Sequence, residues 1–342
     1  MTYQASKLTA AQSVEIVDAE LPSEVPEGYV RLKLATASLC GTDLHYFKNF
    51  SNAGFQLQNA LSLGHEACAT VVDANDADLA AGQLVALNPI IFCGECENCG
   101  KGLVNLCTSK KFPGSATTVP HIDGFFREYF DFPTFCCHTV PEGTDPDHLT
   151  FAEPLACSMH SVNVGEVGPG TKVCITGCGP MGLLAVVAAA SKGAQVEVTD
   201  VREAVVELAC EVGASKGYVT GKDDLAALDS AYDVVIEASG SPHAFNQALE
   251  LVKRQGKLVI LSNIQPSETP VNLHKIMLKE VSVMGSFQFN KEFREAVELV
   301  TSRKVDFDKL IAAKFPLGQT ADALQYMADG KAFGKILLKP EQ

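Results

Sequence analysis

From about residue 170 onward, short apolar runs alternate with stretches of helical periodicity. "KVCITG" is a β-branched apolar run, followed at once by the turn "GCGPMG" and the helical "LLAVVAAASKG". "QVEVTD" then ends in Asp200, and the helix "REAVVELACEVG" stops at Gly213, in the C-terminal glycine position. "YDVVIEASG" and "KLVILSN" read as further buried strands, with "HAFNQALELV" as the helix between them. Strands alternating with helices predict a doubly wound parallel sheet, an α/β fold. The first 150 residues have a different texture. Strand patterns such as "VRLKLATAS", "ACATVVDA" and "GQLVALNP" are broken by glycine and proline, which predicts a β-rich domain. After 288, "KEFREAVELVTSR" and "ADALQYMADG" are helical and "KILLKP" is a closing strand. The expected organisation is a β-rich domain of 1–151 completed by a returning tail, 288–342, and a parallel-sheet domain of 152–287. The segment "PEGTDPDHLT" reads as the loop between them.

The turn after the first parallel strand carries candidate chemistry. Gly177 permits a tight turn, and Gly179 lets the backbone approach a pyrophosphate. Pro180 and Met181 then lead to Gly182, which permits close packing of helix on strand. An anion at this place sits over a helix N-terminus, where free N–H groups and the helix dipole favour negative charge. The glycine spacing alone is a weak signal. Between a strand and a helix, with an acid closing the next strand, it becomes a dinucleotide fingerprint. Asp200 is placed to accept hydrogen bonds from an adenosine ribose, which points to NAD; its plainer alternative is the N-cap of the following helix. Arg202 can accommodate a 2′-phosphate, so NADP is possible.

Composition narrows the partners. A formal net charge of −14 is wrong for a phosphate backbone, so no nucleic acid is expected. The longest apolar run, near "GLLAVVAAA", is far too short to span a bilayer, and "MTYQASKLTA" lacks the pattern of a secretory signal. The expectation is a cytoplasmic enzyme with no membrane partner. Thiols stay reduced there, so the twelve cysteines do not read as a disulfide framework. Four of them, Cys93, Cys96, Cys99 and Cys107, lie in "CGECENCGKGLVNLC" and can enclose one tetrahedral ion, the closed arrangement of structural zinc. Gly94, Gly100 and Gly102 let the backbone turn between them. Iron–sulfur clusters need other spacings.

A second centre is possible in "LCGTDLHYF" and "LGHEA". Cys40 and His65 are zinc-type donors, and Glu66 or Glu153 can add a carboxylate. Three protein ligands leave one position open, as catalysis requires. On spacing alone this is weak, because a lone cysteine and a lone histidine are more often core or surface residues. The order of motifs changes that. "CGTDLH", "GHE", the four-cysteine lobe, "AEPLACSMHS" and "GCGPMG" resemble the medium-chain, zinc-dependent alcohol and polyol dehydrogenases along nearly the whole chain. Within them, "GSATTVPHIDGF", "FAEPLACSMHS" and "GSFQFNKEFREAV" are most similar to the L-idonate 5-dehydrogenase branch, with sorbitol and xylitol dehydrogenases further off.

The resemblance implies a GroES-like catalytic domain, a Rossmann domain, one catalytic and one structural zinc, and NAD-linked oxidation of a secondary alcohol in an interdomain cleft. It makes Cys40 and His65 catalytic ligands, with Glu153 at the third position and Glu66 exchanging with it. Cys157, one turn after Glu153, is an alternative ligand. Thr42 becomes a relay hydroxyl and His45 the group that passes the proton to solvent. Asp43 orients a ligand histidine, and Tyr46 contacts substrate. The plainer alternatives are a helix-terminal charge for Glu153 and capping or packing for Thr42 and His45.

The expected partner is a small-molecule polyol or aldonate. His121 lies in the idonate-like "PHIDG", yet Gln288 stands where polyol dehydrogenases commonly carry arginine, and Phe125 where a second glycine is expected. An aldonate carboxylate needs a cation, for which Lys48 or Arg127 could serve. Two other classes compete. A zinc-free quinone reductase would lack both cysteine constellations, and a zinc-ribbon binding module would not need the glycine turn with Asp200. "VSVMGSF" could extend a sheet across subunits, and the resemblance implies a homotetramer or homodimer.

Overall fold

The broken strand pattern of the N-terminal half forms an antiparallel sheet. The protein, described here as a computed structural model covering residues 1–75, 79–264 and 270–341, has two units: Met1–Glu153 with Phe293–Gln342, and Pro154–Glu292. The first unit begins with a hairpin of β1 (Thr2–Ala10) and β2 (Ser13–Glu20), which the sequence pattern did not single out. β3 (Tyr29–Ser38) runs into helix α1 (Gly41–Asn49). β4 (Glu66–Asp73) and β5 (Leu84–Leu87) follow, then β6 (Tyr129–Pro133) and β7 (Cys137–Thr139). β3 pairs antiparallel with both β4 and β6, and its leucines Leu32 and Leu34 pack with Phe125, Phe126, Phe130 and Phe132. The expected loop at "PEGTDPDHLT" contains a helical turn, Pro146–Leu149. Asp145 caps it by accepting from the Asp147 N–H at 2.8 Å, and Pro146 sits where a helix tolerates proline best.

Helix α2 (Ala152–Val164) leads to the strand–helix alternation of the second unit. β8 (Lys172–Thr176), α3 (Pro180–Ser191), β9 (Gln195–Asp200), α4 (Glu203–Glu211), β10 (Lys216–Val219), β11 (Tyr232–Glu237), α5 (Pro242–Leu251), β12 (Val252–Ile260) and β13 (Ser282–Gly285) alternate as the pattern predicts. Among the described residues the six strands run parallel in the order β10-β9-β8-β11-β12-β13. This is the doubly wound order of dinucleotide-binding sheets, which reverses direction between β8 and β11. Residues 182–189 of α3 are all buried, as expected of a helix apolar on every side. β13 is an edge strand with Ser282 and Val283 exposed.

The chain then returns through α6 (Glu292–Thr301), β14 (Ile311–Pro316), α7 (Thr320–Ala328) and β15 (Lys335–Lys339). β15 pairs parallel with β14 and antiparallel with β3, placing Leu337 opposite Ser38. Residues nearly 300 positions apart thus become neighbours at the end of β3 that delivers Cys40. Among the described residues no helix is long and apolar enough to cross a membrane.

Candidate active site

Cys40 occupies the N-cap position of α1, and Asp43 is its N3 residue. Asp43 is fully buried, accepting from the Cys40 N–H at 2.9 Å and from the Gly64 N–H at 3.1 Å. One carboxylate therefore ties together the two segments that carry Cys40 and His65. Gly64 adopts φ +90°, and a side chain there would meet the Phe126 ring at 2.3 Å. A Cβ on Gly124 would lie 2.3 Å from the Gly64 carbonyl. The backbone before His65 is thus clamped between Phe126 and Gly124. Phe125, which stands where glycine was expected, is a core residue packed on Phe130 and Phe132.

The clamp brings ligand atoms of Cys40, His65 and Glu66 within 4.8 Å of one another. His65 is buried, with Nδ1 3.9 Å from Asp43 Oδ1 and without a hydrogen-bond partner. Burial disfavours a charged imidazole, yet Cys40, Asp43 and Glu153 outweigh it and raise the His65 pKa well above its usual value. Burial also raises the Asp43 pKa, against the pull of His65 and the two N–H donors. Buried acidic groups thus surround the His65 imidazole. A thiol, an unbonded imidazole nitrogen and a carboxylate in such a pocket fit a zinc ion. Glu153, in the first turn of α2, is also buried and acts electrostatically on His65. Cys157 lies one turn further along α2 and, like Glu153, outside the 4.8 Å group.

Lys335 was missed by sequence reasoning. It is buried and donates to both oxygens of Glu66, at 2.6 Å to Oε2, while Ser38 Oγ donates to Oε2 as well. Only the β15–β3 pairing brings it there, so no local pattern could have revealed it.

The expected relay residues lie on α1. Thr42 and His45 are partly exposed, and burial together with the Lys48 cation lowers the His45 pKa. Tyr46 differs from expectation. It is 1% exposed, and its hydroxyl accepts from the Ala116 N–H at 2.9 Å and pairs with Ser115. It supports the 112–118 loop rather than offering a free phenol to substrate. His121 is likewise committed, donating from Nδ1 to the Thr118 carbonyl and accepting at Nε2 from the Gln58 N–H. Arg127 donates to the carbonyls of Asp123 and Gly124 and stacks on Phe130.

The four cysteines of the lobe also converge, with sulfurs within 4.8 Å and no disulfide among them. Gly94 and Gly102 turn the chain with φ of +79° and +74°. Backbone N–H groups of Cys99 and Thr108 pull the Cys96 pKa down to about 6, so its thiolate is already favoured. The donor set fits structural zinc.

In the second unit, a Cβ on Gly182 would lie 1.9 Å from the Gly177 carbonyl, and one on Gly177, at φ +92°, would strike Ser239. Gly179, which precedes Pro180 and Met181 at the start of α3, faces open space, and no side chain caps the helix. A bare helix N-terminus beside an open glycine fits a pyrophosphate. Asp200 is not the side-chain N-cap of α4. It accepts from the Cys178 N–H at 2.7 Å and from both the backbone N–H and Nε of Arg202, at 2.9 and 3.2 Å. The acid that would bind a ribose therefore also holds the glycine turn.

Comparison with known proteins agrees with this geometry. Residues 26–142 match the family of the alcohol dehydrogenase GroES-like domain, and residues 180–302 match the zinc-binding dehydrogenase family. The chain is 32% identical to L-idonate 5-dehydrogenase (NAD(P)(+)) of Escherichia coli over 90% of each chain. The crystal structure of L-idonate 5-dehydrogenase from that organism superposes with a TM-score of 0.95 at 29% identity, covering 99% of this chain and 98% of that one. Sorbitol dehydrogenase of Bacillus subtilis is 30% identical over 86% of this chain and 85% of its own. A putative zinc-binding dehydrogenase of Sinorhizobium meliloti, solved bound to NADP, has a TM-score of 0.90 at 29% identity, covering 99% and 100%. With a GroES-like unit, a Rossmann unit and relatives that are dehydrogenases over nearly their full length, the chain belongs to the zinc-binding alcohol dehydrogenase family, among its polyol and sugar-acid dehydrogenases, and is an oxidoreductase.

Proposed function

We propose that the enzyme oxidises a secondary alcohol of a polyol or sugar acid to a ketone with NAD, L-idonate being the first substrate to test. The convergence of Cys40, His65 and Glu66 in a buried pocket, with Glu153 nearby, carries this reading. Cys40, His65 and one of the two glutamates would hold a catalytic zinc, and Cys93, Cys96, Cys99 and Cys107 a structural one. When bound, zinc supplies a Lewis acid that makes an alcohol hydroxyl easier to ionise, and NAD accepts the hydride. The chain's own residues do the rest. Asp43 fixes the spacing of the two ligand segments, Thr42 receives the hydroxyl proton and His45 passes it to solvent. Asp200 selects the adenosine ribose, and the turn from Gly177 through Gly179 to Gly182 takes the pyrophosphate.

His45 must be neutral to accept a proton, so activity falls as pH drops through its pKa. Burial, then Lys48, depresses that pKa and extends activity to lower pH. Lys48→Ala removes one lowering influence. The acid limb of the kcat/KM profile is expected to move to higher pH, while the alkaline limb stays. An unmoved acid limb excludes His45 as the titrating group.

A neutral polyol is the second reading, favoured by the internal commitment of Arg127 and by Gln288, which leave an aldonate without the expected arginine. NADH formation with L-idonate, sorbitol, xylitol and galactitol decides between them, and no turnover with any of the four ends the polyol and sugar-acid proposal. The exposed edge β13, with Leu273, Met277 and Leu278 exposed just before it, favours a homodimer or homotetramer.

A further inference from the structure

Glu237 is a buried carboxylate that the proposed chemistry leaves without a task. It closes β11 and is 0% exposed, so its charge has lost its hydration. Hydrogen-bond donors compensate for that loss. Oε1 accepts from the Ser239 N–H at 2.8 Å, from the Gly240 N–H at 3.0 Å and from the Ser239 hydroxyl. Oε2 accepts from the Ser262 hydroxyl. The Glu237 carbonyl also accepts from the N–H groups of Leu261 and Ser262, at 2.9 and 3.1 Å. One residue thus holds both the turn that follows β11 and the segment that follows β12.

That turn lies against the glycine fingerprint. A Cβ on Gly177 would meet the Ser239 Cβ at 2.6 Å, and one on Gly182 would lie 3.5 Å from the Ala238 Cβ. The Ala238 N–H donates at 2.8 Å to the carbonyl of Thr176, immediately before Gly177. The Ser239 hydroxyl in turn accepts from the Ser241 N–H at 3.1 Å, at the start of α5. The ends of β8, β11 and β12 therefore meet around one carboxylate, and β8 and β11 are the neighbours between which the strand order reverses. Ligands of doubly wound sheets bind outside the carboxyl ends of the strands at that reversal.

We propose that Glu237 is a positioning residue for the dinucleotide, holding the 238–240 turn and Ser262 so that the turn stays packed on Gly177 and Gly182 and the glycine loop keeps the shape that admits a pyrophosphate. The inference rests on the reading of the glycine turn as a nucleotide site and adds a residue outside the fingerprint on which that site depends. Glu237 acts through Ser239, Gly240 and Ser262 and is assigned no contact with the cofactor.

Fluorescence titration of the full-length protein with NADH and with NADPH tests it, with Tm measured on the same preparations. Wild type is expected to bind at least one of the two. Glu237→Leu removes the side-chain acceptors and releases the turn from Gly177, and Kd for that nucleotide rises about 30-fold. Glu237→Gln is expected to stay within about threefold of wild type, because its amide oxygen accepts from the two N–H groups and its amide nitrogen donates to Ser262 Oγ. A Glu237→Leu protein that melts lower but binds with the wild-type Kd overturns the proposal, because Glu237 then serves stability alone. Glu237→Gln binding as weakly as Glu237→Leu overturns it too, since charge rather than hydrogen bonding would be responsible. Should Glu237→Leu fail to fold, Ser262→Ala decides: it takes the donor from Oε2, so a Kd about threefold higher supports the proposal and an unchanged Kd overturns it. The wild-type titration separates this inference from the nucleotide reading beneath it. If wild type binds neither nucleotide, that reading fails and the inference falls with it. If wild type binds and both Glu237→Leu and Ser262→Ala bind as tightly, only the role of Glu237 is lost.

Discussion

His65→Ala is expected to lower kcat/KM by about 10⁴-fold and to leave one metal ion per chain instead of two. A Lewis acid stabilises developing negative charge by several kcal/mol, and about 1.4 kcal/mol corresponds to each factor of ten in rate. Losing the ion therefore removes most of the catalysis rather than a fraction of it. The fold should survive, because the core of this unit rests on Leu32, Leu34 and the Phe125, Phe126, Phe130 and Phe132 cluster, none of which needs the metal. A melting temperature near that of wild type is expected alongside the lost activity. Asp43→Asn provides the graded comparison. It keeps the size of the side chain but weakens the hold on the Cys40 and Gly64 N–H groups, and a loss of about 10- to 100-fold is expected, as is usual for groups that orient metal ligands. Metal analysis by mass spectrometry and steady-state kinetics on the same preparations provide the check. Two ions per chain, or undiminished turnover, in His65→Ala would remove this histidine from the centre.

The parallel sheet was legible because its signals are local. β8, α3 and β9 each carry their own period, and the glycine at 182 is demanded by its contact with Gly177 within one turn. The convergence of the four lobe cysteines was legible for the same reason, since they lie within one short segment. What escaped was set by contacts between distant segments. Lys335 meets Glu66 only through the pairing of β15 with β3, 269 residues away in sequence. Tyr46 shows the same limit. Resemblance implied substrate contact for it, and the 112–118 loop, distant in sequence, folds over it and takes its hydroxyl. Resemblance supplied the roles of Cys40 and His65; geometry then showed how Asp43 and the Gly64–Gly124 contact hold their segments.

Cys99→Ser is expected to produce the opposite profile to His65→Ala, with stability lost first and chemistry spared. The lobe has little else to hold it. Its regular structure is a helical turn, Glu97–Gly100, and a 3-10 turn, Val104–Leu106, and Leu103 and Leu106 point outward at 37% and 48% exposure. A segment with so little apolar core depends on cross-links, and on the proposed reading an ion held by the four convergent thiols, which form no disulfide, would supply one. Serine is a poor replacement for a thiolate ligand, so one ion per chain should be lost and Tm should fall by roughly 10 °C. Limited proteolysis should then cut within 93–107, where the metal-loaded protein resists. The remaining folded fraction should retain kcat within about tenfold, because none of Cys40, His65, Glu66 or Glu153 lies in the lobe. Unchanged melting with two ions per chain would show that the lobe is held by its own packing, and a collapse of kcat without a change in Tm would place the four cysteines in the chemistry instead of the scaffold.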